Sequence, residues 1–160
     1  MKWSEFSSAV PELAALAQEA FDEQHLCMIG TIRADGRPRI SPCEVYFVDG
    51  ELLLGMIPGS RKVRDLERDT RISVVNGQTL REPPRGDVKL YGTAVAVTDP
   101  SLRERFADAQ EAAIDWRPTG PFPLFAVDVE RAGYICFGEH HRLLRWSSQG
   151  GLEELTHPDD

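Results

Sequence analysis

The chain has 160 residues, of which 41% are hydrophobic, and carries a net charge of −8. That is the size of one ordinary domain with enough apolar material for a core. No apolar run reaches the roughly 18 residues of a membrane span. The acidic balance excludes a general nucleic-acid binder, which needs a basic face.

Residues 1–24 are predicted as helix. Phe6, Val10, Leu13, Leu16 or Ala17, and Ala20 or Phe21 recur every three to four residues, giving one apolar face for a sheet or a partner subunit. Pro11 marks the first turn of the main helix, where a missing N–H is harmless. From His25 the pattern becomes β. His25 to Arg33 reads as a strand, Asp35-Gly36 as a hairpin turn and Pro38 to Val48 as the return strand. Pro42 has no N–H to share, so this strand must there be an edge, be bulged or border an opening. Asp49-Gly50 is a second turn signal, and Glu51 to Ile57 is the third strand.

A helix is expected from Ser60 to before Arg71, then a fourth strand from Arg71 to Asn76 and a loop from Gln78 to Arg85. Asp87 to Val97 alternates as a half-buried strand does. Asp99-Pro100-Ser101 opens another helix, with Leu102, Phe106, Ala109 and Ala113 on one stripe. Beyond a Pro/Gly-rich crossing from Trp116 to Pro123, strands are expected at Leu124 to Val129, Gly133 to Phe137 and Arg142 to Trp146. Consecutive antiparallel strands on tight turns exclude a parallel α/β sheet. They predict a mainly β fold, a closed or nearly closed barrel of six or more antiparallel strands with a few helices, since closure removes exposed edges. The whole chain, 1–160, reads as a single domain: a helical start over 1–24, a barrel over 25–147 and a polar tail over 148–160.

The most informative stretch is Gly59-Ser60-Arg61-Lys62-Val63-Arg64-Asp65-Leu66. Ser60 is a preferred N-cap, whose hydroxyl can accept a first-turn N–H. Arg61 and Lys62 then stand in a first turn whose dipole favours anions, the wrong place for cations in an isolated helix. A phosphate at the helix start resolves the conflict, with Arg as a fork of donors and Lys as a mobile charge. The competing reading is a solvated helix whose cations pair with Asp65, Glu67 and Asp69.

Pro38 to Val75 resembles the pyridoxamine 5′-phosphate oxidase-like proteins, the FMN-binding split β-barrels. The matching elements are Asp35-Gly36-Arg37-Pro38, the strand ending in Gly55-Met56, Ser60-Arg61-Lys62 with Asp65-Leu66 and Arg71, and the later Val88-Lys89-Leu90-Tyr91-Gly92-Thr93-Ala94. The likeness covers about residues 25–100, more weakly to Trp146. It implies a flavin-dependent oxidoreductase acting on a small molecule, with Arg61 and Lys62 on the FMN phosphate beside Ser60. It also implies Ile40, Ser41, Pro42, Cys43 and Val45 along the flavin ring, and Gly55 and Met56 beside the ribityl phosphate. The resemblance further implies a homodimer with its cofactor sites at the interface, where Trp146 reaches the partner's flavin. Two departures argue against oxidation of pyridoxamine phosphate itself. Asp87 stands where the oxidase has a glutamine, and His140-His141-Arg142-Leu143-Leu144-Arg145-Trp146 replaces its substrate-phosphate segment.

Two other cofactors remain open for this fold: the deazaflavin F420, whose acidic tail would recruit Arg64 and Arg85, and haem. A non-catalytic flavin or haem carrier and a ligand-free structural dimer are further readings. His140 and His141 point to opposite faces of a strand, so no shared metal site is expected. Asp115-Trp116-Arg117 either flanks a pocket or packs over a helix end. Cys27, Cys43 and Cys136 lack any zinc or disulfide spacing and read as reduced thiols. With no secretory leader in view, they suggest a cytoplasmic protein.

Overall fold

The computed structural model describes residues 1–77, 85–137 and 141–156. Most of the loop expected over Gln78 to Arg85, together with His140, lies outside them. The helical start is two helices, α1 (Trp3–Ala9) and α2 (Pro11–Asp22). Val10 leaves the helix at φ −140°, because a residue before proline is crowded out of the α conformation. Pro11 is the N1 residue of α2, as expected. The apolar face lies on the chain's own barrel: Phe6, Leu13, Ala17 and Phe21 are each fully buried. Each of the two phenylalanines contributes about 1.5–3 kcal/mol by that burial. Trp3 packs on Phe47 at 4.5 Å, and Phe6 meets the edge of Trp146 at 4.9 Å.

Three antiparallel strands follow: β1 (Leu26–Ile32), β2 (Pro38–Val48) and β3 (Glu51–Gly55). Asp49 and Gly50 both adopt positive φ, +51° and +74°, the turn that suits the right-handed twist of a hairpin. Beyond α3 (Arg61–Arg68) come β4 (Arg71–Asn76), β5 (Asp87–Ala96), α4 (Pro100–Ile114), β6 (Leu124–Cys136), β7 (Arg142–Ser147) and β8 (Gly151–Leu155). The sheet runs β3-β2-β1-β4-β5-β6-β7-β8, and β3 also pairs with β6 through Leu53–Ala126, Leu54–Phe125 and Gly55–Leu124. That pairing closes a six-stranded antiparallel barrel, which β7 and β8 extend along one edge of β6. Leu52, Leu53 and Leu54 are fully buried in succession, because β3 is covered by the barrel interior on one face and by α4 on the other.

The two strands expected at 124–129 and 133–137 are one bent strand. Tyr91 pairs with Arg131 while Gly92 pairs with Val129, so Glu130 is an extra residue in β6. The bulge lets the first half of β6 close the barrel and the second half carry β7. Gly92 sits against it: a Cβ there would lie 1.9 Å from the Asp128 carbonyl oxygen. Gly92→Ala is expected to lower stability by about 1–3 kcal/mol, read as a lower urea midpoint. An unchanged midpoint would show that the bulge yields freely. Gly151–Leu155, expected within a polar tail, instead pairs with β7. Arg145–Glu153 at 2.6 Å and Arg142–Glu154 at 2.8 Å bridge the two strands, so charge rather than apolar alternation marks this pairing.

Candidate functional site

α4 builds the site by covering the outer face of the sheet. Asp99 caps its start by accepting from the Ser101 N–H at 2.9 Å, and Asp115 ends it with a left-handed φ of +54°. Phe106 and Ala107 are buried along it, whereas Ala113, expected on the same stripe, is exposed. Phe106 joins Tyr46, Leu53, Leu124 and Ala126 in a core outside the barrel. At one end of this core the covering stops and a cleft of about 740 Å³ opens. Its size is that of small-molecule sites, roughly 300–1,000 Å³. Cys43 and Glu44 of β2, Gly55 at the end of β3 with Met56 after it, and Phe106 and Gln110 of α4 border it. Trp116 and Phe122 of the Pro/Gly-rich crossing form another side, and Lys62 stands at the edge. Trp116 is 54% exposed, so it flanks the pocket rather than sealing the helix end. Arg117 does the sealing, paired with Glu104, Asp108 and Glu111 of α4.

The start of α3 has the features of an anion site. Ser60 is the N-cap, but its hydroxyl makes no capping bond; the Oγ is buried without any partner. Among the described residues, no carboxylate lies within ion-pair distance of Arg61 or Lys62. Lys62 Nζ donates to the Pro42 carbonyl. Of the helix's own acids, Asp65 accepts from Arg39 at 2.6 Å and lies 3.5 Å from Arg68, Asp69 pairs with Arg71 at 2.6 Å, and Glu67 is exposed. A solvated helix neutralised by its own acids is therefore not what forms. Arg85 pairs with Glu19 at 2.5 Å, so it is not offered beside Arg64 as a second cation for a longer acidic tail.

Strand alternation divides the residues expected along a flavin ring. Ile40 and Pro42 are exposed on the outer face of β2. Ser41 and Cys43 have the opposite parity, although Cys43 still reaches the cleft. Val45 is 1% exposed inside the barrel core, so it presents no side chain to a ligand. Pro42 does border an opening, because β2 pairs with β3 only from Glu44 onward. Trp146 is 4% exposed, in the core where its ring meets Phe6 of α1. Glu44 and Gln110 were not anticipated. The signal for Gln110 was its place four residues after Phe106, a polar side chain on the buried stripe of α4. Burial pushes the Glu44 carboxyl up from its ordinary range, and the Lys62 charge opposes the rise. Tyr46 beside it is pushed up to about 12 by burial and by the Glu44 charge.

The structure is thus a closed antiparallel barrel with an Arg-Lys pair at a helix start next to an apolar cleft. A family model for pyridoxamine 5′-phosphate oxidase matches residues 13–136, and the chain belongs to the pyridoxamine 5′-phosphate oxidase-like family. Solved structures share the fold. A pyridoxamine 5′-phosphate oxidase-related, FMN-binding protein from Nostoc punctiforme is 14% identical with a TM-score of 0.70, over 94% of this chain and 99% of that one. PhzG from Burkholderia lata, in complex with tetrahydrophenazine-1-carboxylic acid, is 15% identical with a TM-score of 0.63, over 97% and 93%. The haem storage protein HutZ from Vibrio cholerae is 18% identical with a TM-score of 0.58, over 74% and 90%. No curated protein matches the sequence. Among the described residues, no helix is long and apolar enough to cross a membrane.

Proposed function

We propose that the chain is an FMN-binding flavoprotein, a flavin-dependent oxidoreductase acting on a small molecule, with the FMN phosphate held at Ser60, Arg61 and Lys62. The observation that carries this reading is the unspent polarity of that corner. Among the described residues, two cations have no carboxylate within ion-pair distance and a buried hydroxyl has no partner, while Asp65 and Asp69 of the same helix are paired with other arginines. A phosphate dianion complements all three groups and the first-turn N–H groups of α3. Pro42, Cys43, Gly55 and Met56 border the adjoining cleft and are positioned to exclude water from one side of the ligand. FMN supplies hydride or electron transfer in such proteins, and the protein supplies anchorage and orientation.

The same reading assigns the chain to a cytoplasmic homodimer. Leu26, Met28, Ile40 and Ile57 are 46%, 37%, 73% and 75% exposed beside the site. An apolar patch of this kind on a barrel rim is what a second copy would cover. The test is an absorbance spectrum of the purified protein, followed by titration with FMN and with F420 and a measurement of mass in solution. Flavin bands saturating at one FMN per chain in a dimer are expected. Tight binding of F420 alone, or a Soret band, would replace FMN by that cofactor. A colourless protein that binds neither flavin would leave the fold without this function. Bound FMN that never turns over with reduced nicotinamide donors would make the chain a carrier.

A further inference from the structure

Among the described residues, four buried side-chain polar atoms have no hydrogen-bond partner: His25 Nδ1, Tyr46 Oη, Ser60 Oγ and Gln110 Oε1. The His25 ring stacks on Tyr46 at 4.9 Å, and Tyr46 meets the edge of Phe106, which borders the cleft. Gln110 matters most, because it borders the cleft directly and is only 1% exposed. Its Nε2 donates to Glu44 Oε2. The amide is held in that sense, since its oxygen turned toward an ionised carboxylate would oppose two acceptors. Gln110 Oε1 is left as a buried acceptor with no donor from a described residue, and such an acceptor is costly unless something supplies the donor. Glu44, half-buried beside it, offers its second carboxylate oxygen as another acceptor.

Charge points the same way. A phosphate on Arg61 and Lys62, as in the reading above, takes up the charge that Lys62 otherwise offers Glu44. The half-buried Glu44 then needs another cation. We propose that Glu44 and Gln110 form the recognition site for a planar organic cation with two N–H donors on one carbon, of the amidinium or guanidinium class, carried by the substrate. Two acceptors on linked side chains complement two donors on one carbon. A delocalised cation is also more weakly hydrated than an ammonium and stacks on aromatic faces, so it enters a cleft bordered by the exposed Trp116 at less cost. The Arg103 guanidinium already lies 4.8 Å from the centre of the Phe122 ring. This inference rests on the FMN reading for its charge count, whereas the paired acceptors stand without it.

The test is calorimetric titration of the purified protein with benzamidine, benzyl alcohol and benzoate, with and without FMN. Benzamidine is expected to bind at least about tenfold more tightly than benzyl alcohol, with benzoate weakest. Glu44→Gln, checked for an unchanged thermal midpoint, is expected to erase the preference while keeping the benzyl alcohol affinity. Should that variant not fold, the side-chain amide resonance of Gln110 in the unmodified protein is the second readout, and benzamidine is expected to shift it. Equal affinities for the three probes, a preference that survives Glu44→Gln, or an unmoved Gln110 resonance would overturn the proposal. The FMN titration separates the two ideas. FMN bound without any amidine preference defeats this inference alone; a Glu44-dependent preference in a protein that ignores FMN defeats the cofactor reading alone.

Discussion

Asp65→Ala is expected to remove about 3–5 kcal/mol of folding free energy, the range for breaking a buried ion pair from one side. Asp65 is 4% exposed on α3, where it accepts from Thr31 Oγ1 at 2.9 Å and from Arg39 Nε at 2.6 Å. These bonds tie α3 to β1 and β2, while Val63 and Leu66 of the same helix are buried in the main core. Alanine would leave Arg39, whose side chain is 22% exposed, without its acceptor. The pH dependence follows. Burial alone would raise the Asp65 carboxyl, but the hydrogen bonds from Arg39 and Thr31 and the charges of Arg39 and Arg68 outweigh it and hold it below the usual aspartate range. The unfolded chain therefore takes up this proton at higher pH than the folded one. The contribution is complete above about pH 4 and is lost as pH falls through the depressed folded value. Urea unfolding at neutral and acid pH checks this, with Asp65→Asn expected to flatten the acid-side fall. Equal slopes in the two proteins would remove Asp65 from the account.

Lys62→Ala is expected to weaken FMN binding by about 1–3 kcal/mol, roughly 5- to 150-fold, the scale of one charge-assisted hydrogen bond. The double change with Arg61→Ala is expected to cost about 2–5 kcal/mol, short of a strict sum because both cations meet one phosphate. Stability should barely move for Arg61, which is exposed, and should fall slightly for Lys62, which donates to the Pro42 carbonyl and whose charge offsets the burial of Glu44. The affinity should also fall as salt rises, because exposed charges are screened. Fluorescence titration of FMN in the three proteins, beside their thermal midpoints, is the measurement. An FMN affinity indifferent to both changes would empty the corner of its role, whatever the cofactor's identity.

Much of this molecule is written in local chemistry. Asp35-Gly36 and Asp49-Gly50 place two hairpins because Gly36, Asp49 and Gly50 take up positive φ angles that few other residues tolerate. Asp99-Pro100 opens α4 because an acceptor and a missing N–H both suit a helix start. Pro42 announced an opening because it cannot join a ladder on both sides. Arg61 and Lys62 stood out because cations in a first turn oppose the helix dipole, a conflict visible without coordinates. What the sequence could not decide depends on partners distant along the chain. Glu130 becomes a bulge only because Gly92 admits the Asp128 carbonyl, so two expected strands merge into one. β8 carries no apolar alternation and is recruited by Arg142 and Arg145 across the turn. Val45 and Trp146 face the core because register and closure turned them there, where no motif records direction. Gln110 meets Glu44 only when α4 folds over β2, and that contact between residues 66 positions apart is a product of tertiary packing alone. Local conformational preference thus determined the elements and the anion corner, and the closure of the barrel under α4 decided which side chains share the cleft.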